Sequence, residues 1–229
     1  MSRQVNVTRL KVVARALQEL NQPVVFVGGA TVALYADAAA PDARPTDDVD
    51  VVVELATYGG YAGLEEKLRA IGFTNDTGSR VICRYKIQGI TVDIMPTQTD
   101  IIGFSNKWYP EGFAHAVPVN LGGQEVKIFA LPYFLATKLE AFKNRGKQDY
   151  RTSSDFEDLV YILENNSTIA QTLAVTSSKL QQYLKVEFAR LLADPDFEEG
   201  IFAHLEPAHA ATTSAEIINI LQEFLADKS

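Results

Sequence analysis

A chain of 229 residues, 47% of them hydrophobic, is long enough to bury the core of one large domain or two small ones and too apolar to stay disordered. Its net charge of −8 excludes indiscriminate nucleic-acid binding through a global positive field, while a local basic groove stays open. A single cysteine, Cys83, excludes an intrachain disulfide and a cysteine-cluster zinc site, and no stretch approaches the roughly 18 consecutive apolar residues of a membrane span, so no membrane contact and a cytoplasmic location are expected.

The first stretch, MSRQVNVTRLKVVARALQEL, lacks the apolar core of a signal peptide and reads as an amphipathic helix. PVVFVGG is a short apolar run ending in paired glycines, hence a buried strand and a turn. ATVALYADAAA reads as a short helix and DVDVVVEL as a second buried strand. GGYAGLEEKLRAIGF has helical spacing at Leu64, Leu68 and Ile71. RVICRYKI and ITVDIMP are predicted strands joined by a hairpin turn at Gln88-Gly89, and EVKIFA is one more strand. Beyond Leu131 the strand patterns stop: PYFLATKLEAFKNR, SDFEDLVYILEN, SSKLQQYLKVEFARLLA and SAEIINILQEFLA all read as helices. The expected architecture is therefore an α/β (α+β) half, residues 1–130, followed by a helical half, residues 131–229.

Chemistry concentrates in RPTDDVDVVVEL, where Asp47, Asp48 and Asp50 precede a run of valines. Unpaired carboxylates at the mouth of a buried strand repel one another and are costly to desolvate. Side chains alternate along a strand, so Asp48 and Asp50 share a face, roughly 7 Å apart at the Cα atoms, while Val49, Val51 and Val53 point into the core. Two carboxylates so placed can grip one or two divalent cations, which turns repulsion into a ligand set. Taken alone, Asp-x-Asp is equally an exposed loop that caps something. Two features raise it above that. Gly28-Gly29 ends the preceding strand and opens a helix, where a backbone free of side chains can approach a phosphate. Asp93 lies in mid-strand, between Val92 and Ile94, where an unpartnered carboxylate is poorly explained as structure.

This order of strand, Gly-Gly, helix, Asp-x-Asp strand and later acidic strand resembles the nucleotidyltransferase superfamily of the polymerase-β type, and more closely the AbiEii-like toxin nucleotidyltransferases. In that family a Gly-Gly turn leads to an Arg-Ser/Thr-x-Asp-hydrophobic-Asp stretch. Here it stands as Gly28-Gly29 and Arg44-Pro45-Thr46-Asp47-Asp48-Val49-Asp50, with 18 residues between Gly29 and Asp48, a longer separation than usual. The family also carries a helix with a phosphate-binding Lys, then basic residues, then an Asp-x-x-Asp-Leu helix start. This chain reads LATKLEAFKNRGKQDYRTSSDFEDLVYIL, so the resemblance spans roughly residues 24–163. It implies a small mixed-sheet nucleotidyltransferase core flanked by helices, with a helical C-terminal domain that completes the active cleft.

The same helix is legible from its residues. Leu135, Lys138, Phe142 and Arg145 fall on one side, so Lys138 sits inside an apolar stripe. There it is either a lysine snorkelling over the core or a cation aimed at a triphosphate. Arg145 shares that face as a peripheral phosphate or nucleic-acid contact, while Lys143 and Lys147 are read as solvated. Ser154 and Glu157 fit a capping box, which gives Asp155 a simple helix-dipole role. Asp158 lies further in, beside an apolar line, able to ion-pair with Lys138 or Arg145, and ranks as the functional acid. His115, His204 and His209 are scattered without metal-ligand spacing, Cys83 reads as core, and Trp108 and Tyr109 read as loop aromatics that plug a cleft.

The leading expectation is a metal-dependent nucleotidyltransferase that moves an NMP from an NTP to an acceptor. Asp48, Asp50 and Asp93 would hold Mg²⁺ or Mn²⁺, with Asp93 alternatively a base for the attacking hydroxyl. Lys138 and Asp158 complete the catalytic set, and Gly28, Gly29, Thr31, Arg44, Thr46 and Arg145 are the nucleotide-binding candidates. The resemblance makes the 3′ end of a tRNA, or another RNA, a candidate acceptor and an antitoxin protein a candidate partner. The competing readings are a metal-dependent glycosyltransferase and a catalytically silent nucleotide-binding or protein-interaction module.

Overall fold

The computed structural model describes residues 2–55, 58–98, 106–145 and 149–227. The chain divides into two compact units. One holds the residues up to Leu34 together with Asp42–Ala130, and the other holds Tyr35–Pro41 together with the chain from Leu131 onward.

The first unit is built on a mixed sheet. Its elements are α1 (Ser2–Gln18), β1 (Val24–Val27), a 3₁₀ helix (Gly29–Leu34), β2 (Asp48–Val53), α2 (Tyr58–Ala70), β3 (Thr74–Asn75), β4 (Arg84–Ile87), β5 (Ile90–Pro96), α3 (Tyr109–Ala114), β6 (Val117–Asn120) and β7 (Glu125–Ile128). Among the described residues the strand order is β3-β4-β5-β2-β1-β7-β6. Strand β2 is internal, antiparallel to β1 and parallel to β5. That position explains its valines: Val49, Val51, Val52 and Val53 are all buried, as a strand covered on both faces requires. Only its first residues reach the surface, where Asp48 and Asp50 are partly exposed. Helix α1 packs on β2 and β5, burying Leu10, Val13, Ala14 and Leu17 along one stripe.

The expected hairpin forms as read. Gln88 and Gly89 both take positive φ, 49° and 78°, the pairing of a two-residue turn whose twist matches the strands. That turn sets the β4–β5 register, Ile87 opposite Ile90 through Arg84 opposite Asp93. Two expectations need correction. The strand expected from Arg80 begins only at Arg84, since Val81 and Ile82 lie in an exposed turn. The helix expected over residues 30–40 is a single 3₁₀ segment ending at Leu34. Residues 35–41 instead join the helical unit: the Tyr35 ring lies 4.6 Å from that of Phe134, and the Tyr161 hydroxyl donates to the Pro41 carbonyl at 2.8 Å.

The second unit contains α4 (Leu131–Arg145), α5 (Ser154–Asn165), α6 (Ile169–Ala174), α7 (Ser178–Leu192), α8 (Phe197–Phe202) and α9 (Ala210–Ala226). Phe142, Tyr150, Phe156 and Phe197 form a ring cluster at its centre, with centroids 4.8–6.1 Å apart. The N-cap of α5 is Ser153, whose hydroxyl accepts from the Phe156 N–H, so the cap lies one residue before the Ser154 expected, and with Phe156 in the third position the expected box with Glu157 does not form. No described helix is long and apolar enough to cross a membrane.

Candidate active site

In the first unit, register gathers the acids. Asp50 and Asp93 are direct neighbours across the parallel β2–β5 pair, and Asp48 precedes Asp50 by two on the same face. Arg84 stands opposite Asp93 on β4. Its Nε donates to Asp93 Oδ1 at 2.8 Å and its Nη2 to Asp93 Oδ2 at 2.8 Å, a bidentate fork; the same Nη2 reaches Asp48 Oδ2 at 2.8 Å. The hydrogen bond to Asp93 holds the Arg84 guanidinium above its ordinary pKa against the opposing effect of burial. Arg84 was not among the residues singled out from sequence. The signal was present: a two-residue turn at Gln88-Gly89 places residue 84 opposite residue 93.

The Gly-Gly turn closes on these acids. Gly28 has φ +71°, and a Cβ there would lie 2.0 Å from Asp50 Oδ2. A Cβ on Gly29 would lie 2.6 Å from Thr46 Cγ2 and 2.7 Å from an Arg44 guanidinium nitrogen. Gly28, Gly29, Arg44, Thr46 and Asp50 are thus brought together. The two threonines hold this arrangement: the buried Thr31 hydroxyl donates to the Gly28 carbonyl at 2.9 Å, and the Thr46 hydroxyl donates to Asn6 Oδ1 at 3.2 Å. Asp47 is exposed and stands apart. Gly28→Ala is expected to cost about 1–2 kcal/mol from the left-handed backbone alone, with a further loss from overlap with Asp50. Urea unfolding of Gly28→Ala beside the native protein checks this; equal stability of the two would refute it.

Three carboxylates are hard oxygen donors of the type that binds Mg²⁺ or Mn²⁺, so the residues suit such an ion in kind. Among the described residues, however, no three His, Cys, Asp or Glu side chains are spaced as a ready cage. The Arg84 guanidinium engages both oxygens of Asp93 and one of Asp48.

The second unit holds a buried ion cluster. Lys138 Nζ lies 3.0 Å from Asp155 Oδ1 and 2.6 Å from Asp158 Oδ2, and all three residues are at most 5% exposed. Arg145 grips Asp155 with Nε at 2.8 Å and Nη2 at 3.0 Å. Burial alone would raise the Asp155 carboxyl, but the Lys138 charge and the Arg145 hydrogen bonds outweigh it and bring the group down to about 2. Burial likewise opposes the charge on Lys138, and the two aspartates overcome it to raise that pKa. Asp155, assigned a simple helix-dipole role from sequence, is therefore the shared partner of both cations. Lys143 is a further correction. It is ion-paired to Glu140 at 2.9 Å and Glu187 at 2.7 Å rather than solvated. Arg151 pairs with Glu199, so each described cation between Lys138 and Arg151 has an acidic partner, while Lys147 lies outside the described residues.

The remaining candidates are structural. Cys83 is buried, and burial pushes its thiol up to about 12. Trp108 and Tyr109 are buried, Tyr109 edge-on to Phe129 at 5.9 Å. His204 contacts the Tyr150 carbonyl and His115 that of Glu111.

The model of the family described as "Nucleotidyl transferase AbiEii toxin, Type IV TA system" matches residues 11–228. A search among curated proteins finds no match. Among solved structures, an antigenic nucleotidyltransferase-like protein from Paracoccidioides brasiliensis is similar over 90% of this chain and 96% of its own, at 19% identity and a TM-score of 0.52. The antibiotic-resistance factor ANT(2'')-Ia aligns over 83% of this chain and 96% of its own, at 18% identity and a TM-score of 0.51. JHP933 from Helicobacter pylori aligns over 97% and 91%, at 10% identity and a TM-score of 0.53. At these identities the likeness concerns the fold, which is that of a nucleotidyltransferase. With nearly its whole length matched by the family model, the chain belongs to the AbiEii nucleotidyl transferase toxin family.

Proposed function

We propose that the protein transfers a nucleoside monophosphate from an NTP to an acceptor hydroxyl with the help of a divalent cation, and that it acts as the toxin of a toxin–antitoxin pair. The observation that carries this is the register that aligns Asp50 with Asp93, two residues from Asp48, against the backbone of Gly28. In the transfer, the acceptor oxygen bonds to the α-phosphorus and the bond to the departing pyrophosphate breaks. Asp48, Asp50 and Asp93 would hold Mg²⁺ or Mn²⁺, whose chemistry when bound is to neutralise charge developing on the phosphate oxygens. Asp93 is also the candidate base for the acceptor proton. The turn at Gly28-Gly29, kept in shape by Thr31 and Thr46, offers backbone N–H groups to phosphate, and Arg44 offers a guanidinium. Lys138, held by Asp155 and Asp158, and Arg145 are proposed to serve the triphosphate. The proposed acceptor is an RNA, the 3′ end of a tRNA first, and the proposed partner an antitoxin protein.

Incubating the protein with α-labelled NTPs, Mg²⁺ or Mn²⁺, and separately RNA, protein and small hydroxyl compounds tests this reading. Metal-dependent α-label on one acceptor class, with pyrophosphate released, is the expected result and names the acceptor. No transfer of α-label to any of these acceptors with either metal would overturn it.

A further inference from the structure

We propose that Arg84 is the resident counter-ion of the acid cluster, and that a divalent cation reaches Asp48 and Asp93 only by displacing its guanidinium. The inference rests on the metal-dependent reading above and adds a residue to it. Arg84 makes three hydrogen bonds of 2.8 Å to the two acids, two of them the parallel fork that carboxylates favour. Without it, like charges packed on one sheet face would repel, most strongly at the buried Asp93. The guanidinium is thus what allows β2 and β5 to pair in this register before any ligand arrives.

A guanidinium and a divalent ion cannot share these oxygens comfortably. Inner-sphere Mg²⁺ needs carboxylate oxygens at about 2.0–2.1 Å. A guanidinium already 2.8 Å from the same atoms would be left only a few ångströms from the ion, and two cations that close repel each other. Arg84 can yield. Its side chain is 25% exposed, and it extends from β4, whose outer neighbour in the sheet among the described residues is the two-residue β3, with the exposed Val81 and Ile82 just before it. A long side chain at that margin can swing into water, whereas the carboxylates are fixed by the internal strands. Arg84 is therefore a positioning residue: it holds the acids in register when no cation is bound and sets how readily one enters.

The test measures Mn²⁺ binding by electron paramagnetic resonance and thermal melting, for the native protein, Arg84→Gln and Arg84→Lys. Arg84→Gln, which keeps a polar side chain but loses the charge, is expected to melt lower without metal, to bind Mn²⁺ at least tenfold more tightly, and to gain more in melting temperature on adding it. Arg84→Lys keeps the charge without the fork and should bind with intermediate affinity. Equal or weaker Mn²⁺ binding by Arg84→Gln overturns the inference alone, whereas no Mn²⁺ binding by either the native protein or Arg84→Gln overturns the metal reading and this inference with it. Should Arg84→Gln fail to fold, the native protein decides. The Arg84 Nε–H resonance, hydrogen-bonded and slow to exchange without metal, should shift and exchange rapidly at saturating Mg²⁺; an unchanged resonance overturns the displacement.

Discussion

Lys138→Ala is expected to cost the helical unit about 3–5 kcal/mol, because it removes the ammonium that two buried carboxylates contact. Asp155 and Asp158 are buried and both contact the Lys138 ammonium. Arg145 still holds Asp155, but Asp158 loses the ammonium that lies 2.6 Å from it. The pH dependence should reveal the cause. In the native protein the Asp155 carboxyl is lowered from 3.8 to about 2, so it binds its proton more weakly folded than unfolded. Its contribution, about 2 kcal/mol, is complete above the unfolded pKa and fades as the pH falls from about 4 toward 2. Without Lys138 the Asp155 carboxyl keeps Arg145 but loses the ammonium, so its lowering is smaller and the variant loses less stability over the same range. The stability gap between native and variant protein should narrow across that window. Lys138→Met combined with Asp155→Asn and Asp158→Asn should recover most of the stability, since removing all the charges leaves none buried and unpaired. Urea denaturation at pH 7 and at pH 3 measures all three. If Lys138→Ala is as stable as the native protein at pH 7, the lysine is not a structural cation. A variant that folds yet binds ATP no better than it binds adenosine would place Lys138 at the phosphates as well.

Asp50→Asn should lower nucleotide transfer by at least about 1,000-fold, the scale of losing a central electrostatic group, while leaving the fold intact. Asparagine keeps the shape of aspartate, so it fits beside Gly28, whose missing Cβ leaves room for this side chain. It loses the charge that attracts a divalent cation. Asp48 and Asp93 remain engaged by Arg84, and one carboxylate fewer weakens the repulsion on that face. The melting temperature should therefore stay level or rise. A sharp fall instead would mark Asp50 as structural. Unchanged transfer would remove it from the site.

Much of the site was legible in the amino-acid sequence because it depends on local rules. Strand alternation alone puts Asp48 and Asp50 opposite Val49 and Val51, and the structure shows that split. Paired glycines before a short helix marked a turn, and Gly28 takes the left-handed conformation in it. Helical spacing placed Lys138 on the apolar side of α4, where it is buried. What the sequence left open were partners, because a charge finds its counter-ion through packing and register. Arg84 was passed over since it reads as an ordinary polar residue of a strand, and only pairing with β5 sets it against Asp93. Asp155 was read as a first-turn acid, and only the docking of α4 on α5 shows that it binds two cations. Residues 30–40 carry helix-forming alanines, yet the chain leaves the helix at Leu34 because Tyr35 is drawn onto Phe134. Periodicity is a property of neighbours along the chain and can be read from it. Ion partners and such tertiary overrides arise between residues distant in sequence, and only the folded structure decides them.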